Sequence, residues 1–456
     1  MRALLATLLL SGCSAVLNFD ECKLDADCTK NGAMFCTSDH LCVGQLPAER
    51  LCTGGIVPDK PAADAVYIAG LFHLTGELGD KDTELANAAR LAVEQISQVT
   101  SRNIAMVLCD TTNDAAVRSI EVAVSRYKAV AVVGPTTSTE LLAVAPIINQ
   151  DGILLVSPSA TSPAVTSLSD GDLIWRTCGS DTLQAPVLAS LIPTMTSGHN
   201  TIVNVAYVDS SYGDGLKTAF VSEWAARSGS TVASTVKFTE STGGSDAVFT
   251  RLAQDNPDYT VFVADTDAGA IMQKLYVSAP AAAVQYLFTD GGKGPSLFGA
   301  QPVTSVLDRV RGTAPATPSA ADPTFANFKL AYQDRFGSDP TTTAFVANTY
   351  DATFAVALAI AATANGIVGS TQLVSAMRRM AAPTGMVVEV KPATDFVKGA
   401  TALAQGGSIN LTGASGPLSW DAAGDITDAP IEVWGVKTNV TPPVFCSLPT
   451  GVGPCP

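Results

Sequence analysis

From residue 65 onward, short β-branched runs alternate with longer stretches in which apolar residues recur every three or four positions. All-apolar or alternating runs of a few residues are strand signals, and the longer period marks amphipathic helices. Strands are predicted over 65–71, 104–109, 129–133, 153–156 and 173–176, with helices over 83–100, 114–127 and 138–150 between them. The pattern then restarts, with strands over 201–208, 230–238, 260–264 and 286–289 and helices over 214–227, 246–255 and 267–278. Three more helices are predicted over 323–335, 343–364 and 370–380. This alternation predicts α/β architecture: two successive doubly wound, Rossmann-like units, each a parallel sheet covered by helices on both faces. In such open sheets ligands bind beyond the carboxyl ends of the strands, so the loops after each strand are the places to look for function.

The chain has 456 residues, 47% of them hydrophobic, and a net charge of −15. Its length can supply two sizeable cores. The acidic balance argues against nucleic acid as a partner, because phosphate contacts need clustered Lys and Arg. The longest apolar stretch, 346–367, is interrupted by Asn348, Asp351 and Asn365, which fits a buried helix better than a membrane span.

The first residues change the picture of where the protein works. A positive Met1-Arg2 start and an apolar run over 3–10 lead to Leu10-Ser11-Gly12-Cys13, which resembles a bacterial lipobox. That resemblance implies a signal peptide over 1–12 and a diacylglycerol on Cys13. The expectation is an exported protein, lipid-anchored in the periplasm or on the cell surface. Ser14 in the following position favours the outer membrane over the inner.

Ten cysteines in an exported chain are read first as disulfides. With Cys13 lipidated, nine remain. Cys22, Cys28, Cys36 and Cys42 are spaced C-x5-C-x7-C-x5-C among polar residues that cannot build a core, so two disulfides are expected there in preference to a metal. Cys446 and Cys455 bracket a Pro- and Gly-rich tail and are placed to close a loop. Cys109 and Cys178 both follow first-unit strands, and either a disulfide between them or two buried thiols fits. One cysteine must be left over.

Two loops of the first unit are rich in donors. Gly134-Pro135-Thr136-Thr137-Ser138-Thr139-Glu140 follows the third strand, with Ser138 a good helix N-cap. Ser157-Pro158-Ser159-Ala160-Thr161-Ser162-Pro163 follows the fourth. They read equally as capped turns or as an anion nest of amides and hydroxyls that suits a carboxylate. In the second unit, Asp209-Ser210-Ser211-Tyr212-Gly213-Asp214-Gly215 offers an aromatic wall, and Asp290 in Thr289-Asp290-Gly291-Gly292 offers an acid for an ammonium group.

Four ordered segments make a resemblance specific. They are Gly70-Leu71-Phe72-His73-Leu74-Thr75-Gly76 with its following helix; Gly134 to Ser138 leading to Ser157-Pro158-Ser159-Ala160-Thr161; Tyr212-Gly213-Asp214-Gly215; and Gly416-Pro417-Leu418-Ser419-Trp420-Asp421. Together they resemble the type I periplasmic solute-binding proteins of branched-chain amino acid transporters, a receptor-family ligand-binding region, over about residues 65–436. The resemblance implies a two-lobed clamp with three chain crossings, near Asp181, Thr313 and Ile431. Lobe 1 would take 65–182 and 313–430, and lobe 2 would take 183–312 and 431–440. They would follow a Cys-rich stalk over 13–60 and precede a tail over 441–456. It implies that Ser138, Ser159, Ala160 and Thr161 hold a ligand carboxylate, that Tyr212 packs from the second lobe, and that Asp290 meets the α-ammonium.

The departures concern the ligand's side chain. Where relatives tend to place an aromatic, Lys81 stands between two acids, and Asp265 and Asp267 follow the strand 260–264. The pocket is expected to be more polar than one for leucine, with Lys81 either meeting a polar ligand group or solvated.

Catalysis is not expected. The three histidines, His40, His73 and His199, stand in no catalytic motif, and G-x-S-x-G, H-E-x-x-H and P-loop sequences are missing. No cofactor or metal is implied. The expected function is capture of an amino acid or similar small zwitterion for an ABC permease or a sensor. The alternative is a surface structural or partner-binding lipoprotein that keeps the fold without transporting a ligand.

Overall fold

The computed structural model describes residues 21–24, 27–28, 35–45, 47–76, 79–100, 102–229, 231–278, 283–363, 368–391, 394–449 and 455. Cys13 and Ser14, with the rest of the expected signal, lie outside them. The chain divides into two compact units, residues 1–50 and 51–456. In the first, strands Phe35–Cys36 and Cys42–Val43 pair antiparallel. Disulfides Cys22–Cys36 and Cys28–Cys42 staple this hairpin to the preceding segment. The sulfurs of Cys22, Cys28 and Cys42 cluster closely enough to suggest a metal. All three are in disulfides, so the cluster is a covalent staple.

The second unit holds two sheets in two lobes. Lobe 1 is built on β1 (Ile56–Val57), β2 (Val66–Phe72), β3 (Ile104–Asp110), β4 (Ala131–Val133), β5 (Leu154–Ser157) and β6 (Ile174–Arg176), in the order β1-β3-β2-β4-β5-β6. All its pairings are parallel except that of β1, an edge strand antiparallel to β3. Its connecting helices are α1 (Gly79–Ser97), α2 (Ala116–Tyr127) and α3 (Ser138–Asp151). Lobe 2 follows a helix, α4 (Asp181–Ser190). It is built on β7 (Val203–Val208), β8 (Ser234–Phe238), β9 (Tyr259–Val263), β10 (Gln285–Phe288) and β11 (Val310–Pro315), with helix α5 (Ser211–Ser228) after β7. The parallel order is β8-β7-β9-β10-β11.

The chain then returns to lobe 1. Helices α6 (Pro323–Phe336) and α7 (Val346–Ala361) pack there, and α7 is buried almost all round. It lies in one apolar cluster with Ile68, Val133, Val156 and Trp175 of the sheet. This explains why the stretch read as nearly span-like: a helix apolar on every face is the middle of a core. No described helix is long and apolar enough to cross a membrane. A three-stranded sheet formed by Met386–Glu389, Ile409–Gly413 and Gly416–Pro417 was not expected. Its strands are 4, 5 and 2 residues long, too short to leave a readable period.

A final crossing brings β12 (Ile431–Lys437) back beside β11, antiparallel, and β13 (Val444–Ser447) extends the lobe 2 sheet. The segments joining the lobes are bonded to one another. Gln184 Nε2 of α4 donates to Thr313 Oγ1 at 2.9 Å, and the Ala316 amide donates to Pro430 O at 2.8 Å.

The alternatives left open for Cys109 and Cys178 resolve as one bonded and one free. Cys109 pairs with Cys52, 57 residues away, and not with Cys178. Cys178 is the buried free thiol among the described residues. Cys52 lies just before β1, whose pairing with β3 brings it alongside Cys109, so the partner is chosen by sheet register. Cys446 and Cys455 are joined as expected.

Candidate functional site

The carboxyl ends of the parallel strands in both lobes face one cavity of about 560 Å³. Contacts at its wall and beside it join the lobes. Ser162 Oγ donates to Ser211 O at 2.9 Å, the Ser211 amide donates to Thr139 Oγ1 at 3.2 Å, and Lys81 Nζ donates to Asp265 at 2.8 Å.

Lobe 1 contributes the donor-rich loops. Gly134 has φ +99°, and a Cβ there would stand 2.3 Å from Leu71 O, so only glycine lets this loop turn off β4 against β2. The helix N-cap is Thr137, not the expected Ser138. The Thr137 side chain accepts from the Glu140 amide, which leaves Ser138 as the first helical residue facing the cavity. Ser138 Oγ accepts from the Ser162 amide at 3.1 Å, leaving its own hydroxyl proton for a ligand. Ser159 Oγ donates to Thr136 O at 2.7 Å, so toward the cavity it offers lone pairs. The Ala160 amide is already bonded to Ser157 Oγ at 3.2 Å. The expected nest of free amides is therefore partly satisfied internally. Local hydroxyls compete for backbone donors in such loops.

Arg176, with no solvent exposure, holds this loop from behind. It donates to Ala160 O at 3.1 Å and Ser162 O at 3.0 Å and pairs with Asp425 through Nε at 2.7 Å.

Lobe 2 contributes Tyr212 and Asp290. Ser210 caps α5 by accepting from the Gly213 amide at 3.0 Å, which sets Tyr212 in the first turn. The Tyr212 hydroxyl lies 2.6 Å from Thr289 Oγ1 and donates to Asp290 Oδ1 at 2.9 Å. Asp290 is buried, and burial raises its pKa. The Lys81 charge and the Tyr212 hydroxyl work in the opposite direction. Of the sequence-expected residues, Ser138, Ser159, Tyr212 and Asp290 line the cavity. Ala160 and Thr161 are buried, and neither is among the lining residues.

One acid packed behind this cluster, not among the lining residues, carried no such expectation. Asp181, at the start of α4, is fully buried, and its pKa is pushed well up by burial and then by the nearby Asp290 carboxylate. Both its oxygens, and the Thr161 hydroxyl beside it, lack a well-formed hydrogen bond. Its signal was the helix start Gly179-Ser180-Asp181, which reads as ordinary N-terminal acid.

A second cluster carries charge of both signs. His73 Nδ1 lies 3.0 Å from Asp82, and Nε2 lies 3.3 Å from Glu140. Burial would lower the His73 pKa, but the Asp82 hydrogen bond and the Glu140 charge raise it to about 9. Asp82 also accepts from Thr136 Oγ1 at 2.6 Å and from the His73 amide at 2.9 Å. These bonds and the His73 charge hold it below the usual carboxylate range despite burial. Burial pushes Glu140 up to about 7, against the pull of His73. Burial also works against the Lys81 charge, but Asp265 outweighs it and keeps the ammonium pKa raised. The two acid partners of His73 are 9 and 67 residues away along the chain.

Four residues on the cavity wall, Asn113, Asp114, Ser241 and Phe345, adopt positive φ without being glycine. Side chains held in that region are costly and gather at ligand sites.

Comparison with known proteins identifies the family of this fold. The profile described as the receptor family ligand binding region matches residues 84–439. The chain belongs to that family and is a type I periplasmic binding protein, a solute-binding protein and not an enzyme. It is similar to the chemotactic signal transduction system substrate-binding protein BasB of Halobacterium salinarum, 26% identical over 393 residues, 81% of this chain and 89% of that one. It is also similar to a leucine-, isoleucine-, valine-, threonine- and alanine-binding protein of Pseudomonas aeruginosa, 30% identical over 173 residues, 37% of this chain and 45% of that one. Among solved structures, the leucine-binding protein LivK of Thermotoga maritima superposes with a TM-score of 0.66 at 21% identity, over 84% of this chain and 97% of that one. That likeness bears on the fold alone.

Proposed function

We propose that this protein captures an α-amino acid, or a small zwitterion like it, between its two lobes on the outer side of the cytoplasmic membrane. The observation that carries this reading is the division of chemistry across the cavity. Ser138 offers a hydroxyl donor from lobe 1, while Asp290 and Tyr212 offer an acid and a ring from lobe 2. A carboxylate on the first and an ammonium on the second would draw the lobes together, and clamp closure is how two-domain binding proteins hold small ligands. Within this reading Ala160 and Thr161 act from behind the lining. A ligand carboxylate would compete with Ser157 for the Ala160 amide. Lipid attachment at Cys13, with Cys22–Cys36 and Cys28–Cys42 stapling the segment that follows, belongs to the same proposal.

The bound protein would hand its ligand to an ABC permease or report it to a sensor. The sensing arm is favoured by the long match to a chemotactic substrate-binding protein. Calorimetry of the exported chain against the common amino acids tests the ligand. One-to-one binding by at least one of them, with a smaller radius of gyration in solution scattering, is the expected result. Silence across the whole panel overturns the reading. Incorporation of labelled palmitate that is lost in Cys13→Ser tests the anchor.

A further inference from the structure

Among the described residues that line the cavity, Val208 and Phe345 are the only wholly hydrocarbon side chains. The wall beside the His73 cluster is instead closed by an ion pair that spans the lobes. Lys81 from α1 and Asp265 after β9 meet at 2.8 Å although 184 residues separate them. Neither is sealed away: the Lys81 and Asp265 side chains keep 18% and 28% exposure, and both border the cavity. Among the described residues the Lys81 ammonium makes this one hydrogen bond, so it has donors to spare. Asp265 can likewise accept more. Thr136, Glu140 and Glu240 add further polar groups to the same wall.

This arrangement discriminates between ligand side chains. Branched methyl groups pressed against the pair would strip water from two charges and return no hydrogen bond, which is unfavourable. A side chain with its own donors or acceptors would replace that water and bridge to the lobes at the point where they touch. A site built with polar groups rejects ligands that leave those groups unpaired far more strongly than an apolar pocket rejects a polar one.

We propose that the Lys81–Asp265 pair is the specificity element of this pocket, selecting amino acids with a hydrogen-bonding side chain and rejecting leucine, isoleucine and valine. This rests on the amino acid reading above and departs from the aliphatic ligands named for several relatives. The test is calorimetry with leucine, isoleucine and valine on one side and glutamine, glutamate and arginine on the other, using the full exported chain. At least one of the polar three is expected to bind tenfold or more tighter than every branched one. The combined substitution Lys81→Met and Asp265→Leu is expected to cost that ligand at least tenfold and to tighten leucine. If the doubly substituted chain does not fold, Asp265→Asn serves, with the same loss of polar preference expected. Leucine as the tightest ligand of the unaltered protein, or an unchanged ranking in the variants, overturns the proposal. Binding of neither group strikes instead at the amino acid reading beneath it.

Discussion

Two clusters line the same cavity but are built differently. Around Asp290 the groups are neutral hydroxyls facing acids that burial keeps reluctant to ionise, with the Tyr212 hydroxyl as bridge. Around His73 the groups are opposite charges already paired with one another: His73 with Asp82 and Glu140, and Lys81 with Asp265. In the first cluster the acids lie close together with no cation paired to them among the described residues, Asp181 being buried just behind Asp290. The second largely satisfies itself. On the proposed function, the difference separates the part that would attract a ligand from the part that would sort ligands. An ammonium would relieve the buried acids, whereas whatever touches the paired charges would have to match bonds already made.

The largest way to break this contrast is to remove the prop behind the first cluster. Arg176→Ala would leave Asp425 with its buried partner gone and the Ala160 and Ser162 carbonyls without their donor. A cost of about 3–5 kcal/mol is expected for such a deletion, read from urea unfolding. A loss under about 1 kcal/mol would mean that the loop stands without Arg176. A second change sharpens it from the ligand's side. Asp290→Asn keeps the shape and the Tyr212 contact but removes the charge available to an ammonium. Affinity for the best amino acid ligand should fall by roughly ten- to a hundredfold, since a hydrogen bond to a charged group contributes about 1.5–3 kcal/mol. An unaltered affinity would take Asp290 out of the site.

The smallest effect belongs to the second cluster and is read as pH dependence. Folding raises Glu140 from 4.5 to about 7 and His73 from 6.5 to about 9. Both groups bind protons more tightly in the folded state. Their stabilisation is complete below the unfolded values and is lost as pH rises through the folded ones. Asp351 of α7, buried and raised to about 7, acts the same way. Asp82 is lowered, so its contribution is present above 3.8 and is lost as pH falls through its folded value. The melting temperature should therefore be highest near pH 5 and decline toward pH 9. Glu140→Gln should flatten the part between 4.5 and 7, the interval between its unfolded and folded values. An unchanged slope in that window would show that Glu140 does not titrate there.

Much of the first cluster was legible before any fold was known, and the second was not. Ser138, Ser159, Tyr212 and Asp290 each follow a strand directly, so a correct reading of strand ends already placed them at the cleft. Ala160 and Thr161 share that loop, but which side of it faces the cavity depends on the turn, and there they fall behind Ser159. Lys81 stood out as a charge where relatives place a ring, yet its partner Asp265 belongs to the other lobe. His73, Asp82 and Glu140 come from a strand end and two helices, and nothing local announces that they converge.

What the sequence determined by itself is the repeated strand–helix alternation, and with it two doubly wound lobes, their strand ends and the hydroxyl-rich loops. Periodicity and turn chemistry are local properties, written within a few residues of where they act. The tertiary structure alone decided which groups meet. It chose Cys52 for Cys109 through the register of an edge strand, Asp265 for Lys81 through closure of one lobe on the other, and Asp425 for Arg176 through the return of the chain to lobe 1. Such pairings depend on how whole layers pack and cross, and no local run of residues carries that information.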